Sequence, residues 1–423
     1  MSQRRRRKRK ELEITDEDRL QIVNIERIIS GGYGLAKTKN GKRLLVAGAA
    51  TGERCVVELE HDYKDYATGR VAEVLEFSQD RIDPKCDIFG ECGGCQFQHL
   101  EYRSQIEAKE EIVRDALLRI GEFKNLKITP MIPAENPWAY RNHVRFSTGR
   151  LFGDVGFIPR SHRGLVKVTN CAVAVPWINE QIPKIQGHVG TLHQVQLRKS
   201  ESTNEALISP QINEIREISG QSFYHEELAG FRFRISQSSF FQVNSAQAEN
   251  LVELVRKALP ASGALLVDAY AGVGTFSVIF SSRFRLVVAI EESVGASKDA
   301  EFNAQDFANI AIRVGKVEDV LPDLGEPIDA VILDPPRVGC HPAVLDSIIA
   351  NAPSCLVYVS CDPATLSRDL KKLVGHGYEL EYVTPIDMFP QTAHIECVAK
   401  LSFKGVEPLD SLEDITRFTN RIE

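Results

Sequence analysis

No stretch of this chain approaches 18 uninterrupted apolar residues, so no membrane-spanning helix is expected. No apolar segment accompanies the charged N-terminus, and no secretory signal is expected either. Nine cysteines, an odd number, do not read as a disulfide framework. The expected setting is cytoplasmic, with thiols available for catalysis or a metal. Nor is the composition that of a disordered chain. Hydrophobic residues make up 43%, charged residues 26%, and 20 Phe supply core material. At roughly 100–200 residues per domain, 423 residues imply two to four domains.

The net charge of -7 conceals an asymmetry. Residues 1–10 hold seven Lys or Arg and no acid, so the remainder stands at -14. A block such as Arg4 to Lys10 reads as a solvated tail. On a phosphate polymer it would act as an arm that releases counterions.

Residues 20–76 alternate Val-, Ile- and Leu-rich runs with Gly-rich turns, which predicts four or five strands in a small closed barrel. Gly31-Gly32-Tyr33-Gly34 is compatible with a loop whose backbone approaches nucleic acid, and equally with an ordinary hairpin turn. A helix is predicted from about Leu100 to Ile120, with Tyr102, Ile106, Val113, Leu117 and Ile120 on one face and Gly121 as its stop. Strand and turn signals mix from about 130 to 235. Then four apolar runs, "GALLVDAY", "RLVVAIEE", "IDAVILDPP" and "SCLVYVSCD", are separated by helix-length segments, the pattern of a doubly wound α/β domain. The segment after Gly405 reads as a polar, partly helical tail.

The first of these strands leads into Asp268-Ala269-Tyr270-Ala271-Gly272-Val273-Gly274-Thr275-Phe276. Glycines at such a turn let the chain bend and let a ligand approach the backbone. The second strand ends in Glu291, 23 residues beyond Asp268, where a carboxylate can bind ribose hydroxyls. The loop lacks the full dinucleotide glycine spacing, and its acidic strand end suits a sulfonium cofactor, S-adenosylmethionine, better than a pyrophosphate.

Asp334-Pro335-Pro336-Arg337 follows the third run, and its two prolines build a rigid edge where such sheets bind ligands. Amino-methylating enzymes place an aromatic after the prolines; Arg337 argues against that chemistry. The fourth run delivers Ser360-Cys361-Asp362-Pro363 to the same edge. Cys361 reads as a nucleophile whose thiolate is favoured by a helix starting after Pro363. Cys355, within the strand, reads as packing. His394 and Glu396 flank Ile395 on a strand-like segment and are expected to face one side. Glu396 is a candidate proton acceptor, and His394 at most a positioning residue.

Cys86, Cys92 and Cys95, with Gly93-Gly94 between the last two, are spaced to wrap an ion or cluster, and Cys171 is the candidate fourth ligand. Zinc and iron–sulfur both remain open on spacing. The spacing is not the Cys-x3-Cys-x2-Cys of radical enzymes that use the same cofactor.

Together "FQVN" at Phe241 to Asn244, "DAYAGVGTF", "DPPR", "SCDP", "HIE" and the four cysteines resemble the RNA uracil-C5 methyltransferases. Within that family the chain looks most like the 23S ribosomal RNA group that carries a TRAM barrel and a [4Fe-4S] cluster. The resemblance spans about residues 20 to 402. It implies a multidomain α/β protein: a basic disordered tail (1–14), a TRAM or OB-like β-barrel that binds RNA (15–76), a central α+β domain with the cluster (77–238), and a Rossmann-like S-adenosylmethionine-dependent catalytic domain (239–423). The helical region 98–129 is expected to pack on the catalytic domain.

Carried onto this sequence, the resemblance makes Cys361 the nucleophile and Glu396 the proton-abstracting base. Gln242, Tyr270, Thr275, Glu291 and Asp334 become cofactor contacts, with Thr275 standing where several relatives carry Asn. Phe240 becomes the aromatic that stacks near a flipped uridine. Cys86, Cys92, Cys95 and Cys171 become cluster ligands, which favours [4Fe-4S] over zinc. The expected partner is RNA, ribosomal by resemblance, with no membrane and no obligate protein partner. The same reaction on tRNA, or a non-catalytic RNA-binding assembly protein, are the alternatives.

Overall fold

The computed structural model describes residues 11–16, 18–125, 127–149, 153–161, 164–190 and 192–405. The basic block Arg4 to Lys10 and the tail after Gly405 lie outside the described residues. Contacts divide the chain into two compact units: 1–115, 130–252 and 385–396 form one, and 116–129, 253–384 and 397–423 the other.

The first unit opens with a seven-stranded sheet: β1 (Glu11–Leu12), β2 (Leu20–Asn24), β3 (Arg27–Ile29), β4 (Tyr33–Lys37), β5 (Arg43–Ala47), β6 (Arg54–Tyr63) and β7 (Tyr66–Glu76). Alternation sets its inner face. In β2, Gln21 and Val23 are buried while Leu20, Ile22 and Asn24 are exposed. The ladder path runs β2-β6-β7-β5-β4-β3. Since β2 and β3 are consecutive in the chain yet end the path, the sheet rolls around a core of Val23, Ile25, Leu44, Val46, Cys55 and Val57.

Two residues expected in the tail, Glu11 and Leu12, instead pair with Tyr63 and Asp62. The long β6 extends past its pairing with β2, and β1 fills that open edge. The Gly31-Gly32 turn joins β3 to β4, and both glycines have positive φ, 82° and 76°. Its close backbone approach is to protein. A Cβ on Gly32 would stand 2.8 Å from Gln96 Cβ and 3.2 Å from Ala393 Cβ.

Helix α1 (Tyr102–Arg119) matches the predicted span, but its stop works differently. The left-handed residue is Glu122, at φ 58°. Gly121 is required for space, because a Cβ there would meet the Phe123 ring at 2.5 Å and the Leu117 carbonyl at 2.7 Å.

The mixed region resolves into a five-stranded sheet of β8 (His143–Gly149), β9 (Asp154–Phe157), β10 (Val166–Lys167), β11 (Gln194–Lys199) and β12 (Ala206–Ser209), ordered β10-β9-β8-β11-β12. Helix α2 (Pro176–Ile185) buries Ile178, Ile182 and Ile185 with Phe146, Val195 and Leu197. A hairpin follows, β13 (Phe223–Leu228) and β14 (Phe231–Ser236), and then α3 (Ser245–Ala258).

The second unit is built on β15 (Gly263–Ala269), β16 (Phe284–Glu291), β17 (Ile310–Val314), β18 (Ala330–Leu333), β19 (Cys355–Ser360), β20 (Tyr378–Ile386) and β21 (Glu396–Phe403), except that Pro385, Ile386 and Glu396 at the strand ends fall in the first. Connecting helices are α4 (Thr275–Phe280), α5 (Val294–Asn303), α6 (Val317–Val320), α7 (Pro342–Asn351) and α8 (Pro363–Val374). The sheet order is β17-β16-β15-β18-β19-β21-β20, parallel from β17 through β19. β21 is antiparallel to β19, so its first residues lie at the edge where the parallel strands end.

Candidate active site

Strands β15, β16, β18 and β19 deliver the predicted residues to one edge of the second unit. Tyr270 follows β15 in the left-handed conformation, φ 67°, which costs a non-glycine residue about 1–2 kcal/mol. Its hydroxyl meets the Cys340 thiol and the His341 backbone N–H. Gly272 and Gly274 also have positive φ, and Thr275 is the first residue of α4.

Glu291 was expected to hold ribose. Its Oε2 accepts from the Gly272 N–H at 2.9 Å and its Oε1 from the Ser293 N–H at 2.7 Å. Each oxygen retains a second lone pair, so the carboxylate pins the glycine loop and keeps acceptor capacity.

Asp268, the acidic strand end ahead of the glycine loop, is buried at this edge. Its Oδ2 accepts from the Ser277 N–H (2.9 Å) and hydroxyl (2.5 Å), while Oδ1 has no hydrogen-bond partner among the described residues. Burial pushes its pKa up to about 6, with Glu291 adding to the rise. Asp334, at the end of β18, is pushed up to about 7 by desolvation and then by the Asp268 charge. Three carboxylates on neighbouring strand ends make a rim that favours a cation.

Cys361 sits between β19 and α8. Asp362 caps α8, accepting from the Ala364 and Thr365 N–H groups at 3.0 and 2.9 Å, and Pro363 supplies the preorganised first helical position. The thiol therefore precedes the positive end of a 12-residue helix. Cys355 is buried packing, its thiol pushed up to about 11 chiefly by burial.

Helix α8 also fastens the proline loop. The Thr365 hydroxyl donates to the Arg337 carbonyl (3.2 Å), and Arg368 donates to the Val338 carbonyl (3.0 Å). Asp369 Oδ2 accepts from the Cys340 N–H (2.9 Å) and the Tyr358 hydroxyl (2.7 Å). These residues were missed. Their signal was an acid on the buried side of an amphipathic helix, beside Leu366, Leu370 and Leu373.

Across the β19–β21 ladder Ser360 faces Cys397; Cys361 is the next residue after one, and Glu396 the residue before the other. Glu396 is only 4% exposed. His394 does not share a strand face with it, because β21 begins at Glu396. Gln242 and Phe240 belong to the first unit, in the loop that leads into α3. Phe240 is 65% exposed, an uncommon position for so large an apolar ring.

A family model for tRNA (uracil-5-)-methyltransferase matches residues 324–404, the stretch that holds the proline loop, Cys361 and Glu396. A Thermosynechococcus vestitus protein described as an uncharacterized RNA methyltransferase is 34% identical, over 90% of this chain and 97% of its own. The chain belongs to the RNA uracil-C5 methyltransferase family. A Gloeobacter violaceus relative, likewise described as an uncharacterized RNA methyltransferase, is 35% identical over 90% of this chain and 95% of its own. Among solved structures, the Pyrococcus abyssi tRNA (uracil-54, C5)-methyltransferase in complex with S-adenosyl-L-homocysteine superposes with a TM-score of 0.70. It is 25% identical and covers 90% of this chain and all of its own. As a member of this family the chain is an S-adenosylmethionine-dependent RNA methyltransferase.

In this methyltransferase the four cysteines expected as ligands, Cys86, Cys92, Cys95 and Cys171, all lie in the first unit, and none of the nine cysteines is disulfide-bonded. Cys95 is raised to about 12, first by burial and also by the neighbouring Cys171, Cys92 and Cys86. The four thiols thus stand within electrostatic reach of one another. Backbone N–H groups already point at the sulfurs: Gly94 donates to Cys92 Sγ at 3.4 Å, and Val173 and Ala174 donate to Cys171. Such donors stabilise metal-bound thiolates. Four thiols are the donor type that zinc or an iron–sulfur centre takes. Among the described residues no group of three or more His, Cys, Asp or Glu is placed to hold a metal ion, and no helix is long and apolar enough to cross a membrane.

Proposed function

We propose that this protein methylates C5 of a specific uridine in 23S ribosomal RNA through a covalent bond between Cys361 and C6 of the base. The observation that carries this reading is the position of Cys361 at the start of α8, beside a strand pair whose other partner begins with Glu396. Uracil C5 is a poor nucleophile. The Cys361 thiolate adds to C6, and the electron pair of the C5–C6 double bond shifts into the ring carbonyl system, making C5 nucleophilic. C5 takes the methyl group of the sulfonium cofactor, and the pair of the broken S–CH3 bond stays on sulfur, which leaves as an uncharged thioether. Glu396 then takes the C5 proton. The C5–C6 double bond re-forms and the C6–S pair returns to Cys361.

Glu396 is a buried carboxylate at the first position of β21. Reaching C6 requires the base to leave its stack, at a cost of a few kcal/mol that aromatic stacking offsets. We assign that stacking to Phe240, and cofactor contacts to Gln242, Tyr270, Thr275, Glu291 and Asp334. RNA contacts are assigned to the rolled sheet, read as a TRAM domain, with the basic tail.

Cys86, Cys92, Cys95 and Cys171 would hold a [4Fe-4S] centre. Its role in this reading is to hold the loop that carries it. The second reading, the same reaction on tRNA, is favoured by the 25%-identical tRNA enzyme that spans 90% of the chain.

The deciding experiment incubates the protein with methyl-labelled cofactor and either unmodified 23S RNA or tRNA. Label is expected at uracil C5 of the ribosomal RNA and lost in Cys361→Ala. Turnover by that variant would end the covalent mechanism, and labelling of tRNA alone would transfer the reading to tRNA. Iron and acid-labile sulfide in anaerobically purified protein, at about four irons per chain, would support the cluster; zinc alone would remove it.

A further inference from the structure

Within the first unit, residues 387–393 run toward Glu396 under a dense set of buried hydrogen bonds. At its centre Gln391 is left-handed, φ 68°, and essentially unexposed. A non-glycine residue holds that conformation only where its surroundings over-determine it. Here they do. The Gln105 side chain of α1 bonds it twice, with Oε1 accepting from the Gln391 N–H (3.1 Å) and Nε2 donating to the Gln391 side-chain oxygen (3.0 Å). The Gln391 carbonyl accepts from the backbone N–H groups of both Gln96 and Phe97, each at 3.0 Å.

Gln96 immediately follows Cys95, and its side chain forms a second link. Its Nε2 donates to the Gly93 carbonyl (3.0 Å), inside the cysteine loop, and its Oε1 accepts from the Ala393 N–H (3.1 Å). Tyr140 donates to the Pro390 carbonyl at 2.9 Å. One amide thus bridges the cysteine loop to the residue next to His394, three positions before Glu396.

Resting on the mechanism proposed above, we infer that Gln96 and Gln105 are positioning residues for the proton-abstraction step: they hold the left-handed turn at Gln391 and so set the placement of Glu396. Neither touches the reacting atoms. Their loss acts after methyl transfer, when the C5 proton must leave before the C6–S bond can break. The protein then stays bonded through Cys361 sulfur to C6 of a base that already carries the methyl group.

The test follows two signals in the full-length protein with RNA and labelled cofactor: methyl transfer in a single turnover, and the fraction of protein retarded as an RNA adduct on a denaturing gel. The variants are Gln105→Met, which keeps side-chain volume, and Gln96→Ala, at a partly exposed position that leaves the core intact. Each is expected to keep methyl transfer within about threefold of the parent while raising the adduct fraction at least fivefold. Glu396→Gln serves as the reference. Methyl transfer and adduct falling together would mark a merely structural role and overturn the inference, as would parent-like behaviour of Gln96→Ala. If Glu396→Gln itself accumulates no adduct, the mechanism has failed rather than the positioning. If it does and Gln96→Ala does not, the positioning has failed alone.

Discussion

The Lys109 ammonium lies 2.5 Å from the Asp387 carboxylate, and neither side chain is exposed to solvent. Burial pushes the lysine pKa down, and the Asp387 charge opposes that shift. Tyr102 donates to the same carboxylate at 2.8 Å, and Lys109 also reaches the Phe389 carbonyl at 3.1 Å. Removing one partner leaves the other charge buried and unpaired. Lys109→Met should therefore lose about 3–5 kcal/mol of stability. The double variant Lys109→Met, Asp387→Leu should recover most of it, short of the acceptor that Tyr102 loses. Guanidinium unfolding curves check both; a single-variant loss below about 1 kcal/mol would contradict the account.

The carboxylates of the second unit predict a pH response. Asp268 and Asp334 are raised to about 6 and about 7 from an ordinary value of 3.8. The folded, ligand-free protein therefore holds protons that the unfolded chain would release. Their contribution to stability is fully present below 3.8 and is lost as pH rises through about 6 to 7. A sulfonium placed at this rim favours the ionised forms. Affinity for S-adenosylmethionine should fall below pH 7, by at most about tenfold per pH unit for each proton displaced. The uncharged thioether of S-adenosylhomocysteine should show a shallower slope. Calorimetric titrations between pH 8 and 5.5 distinguish the two; parallel slopes would remove the rim from cofactor recognition.

Gly32 and Gly41 separate two reasons for a glycine. Both have positive φ, but a Cβ on Gly41 would meet nothing within 4 Å, whereas one on Gly32 would press on Gln96 and Ala393. Gly41→Ala should cost about 1–2 kcal/mol, the conformational term alone. Gly32→Ala should cost roughly 1–3 kcal/mol more, the range for overpacking. Thermal unfolding of the two variants side by side gives the difference directly, and equal losses would show that the contact is slack.

The interior strands were readable because burial on both faces leaves continuous apolar runs: "ALLVDA", "LVVAIE", "AVIL" and "CLVYVS" became β15, β16, β18 and β19. β17 has no such run, since an edge strand keeps Arg313 in its pattern. The candidate residues could be placed on loops after strands, but not their partners. Nothing local announces that Asp369 accepts from Tyr358, eleven residues upstream, or that Gln105 reaches Gln391, 286 residues away. The same limit explains the Gly31-Gly32 turn. Its positive φ is a local property legible in two glycines, while the neighbour it approaches comes from elsewhere in the chain.

β21 is among the last elements of the chain, yet it lies between β19 and β20 rather than at a border of the sheet. A chain cut short before Glu396 would have a gap in the middle of its sheet, exposing two unpaired strand borders to neighbouring molecules. During synthesis those same borders stay unpaired until the closing strand has been made.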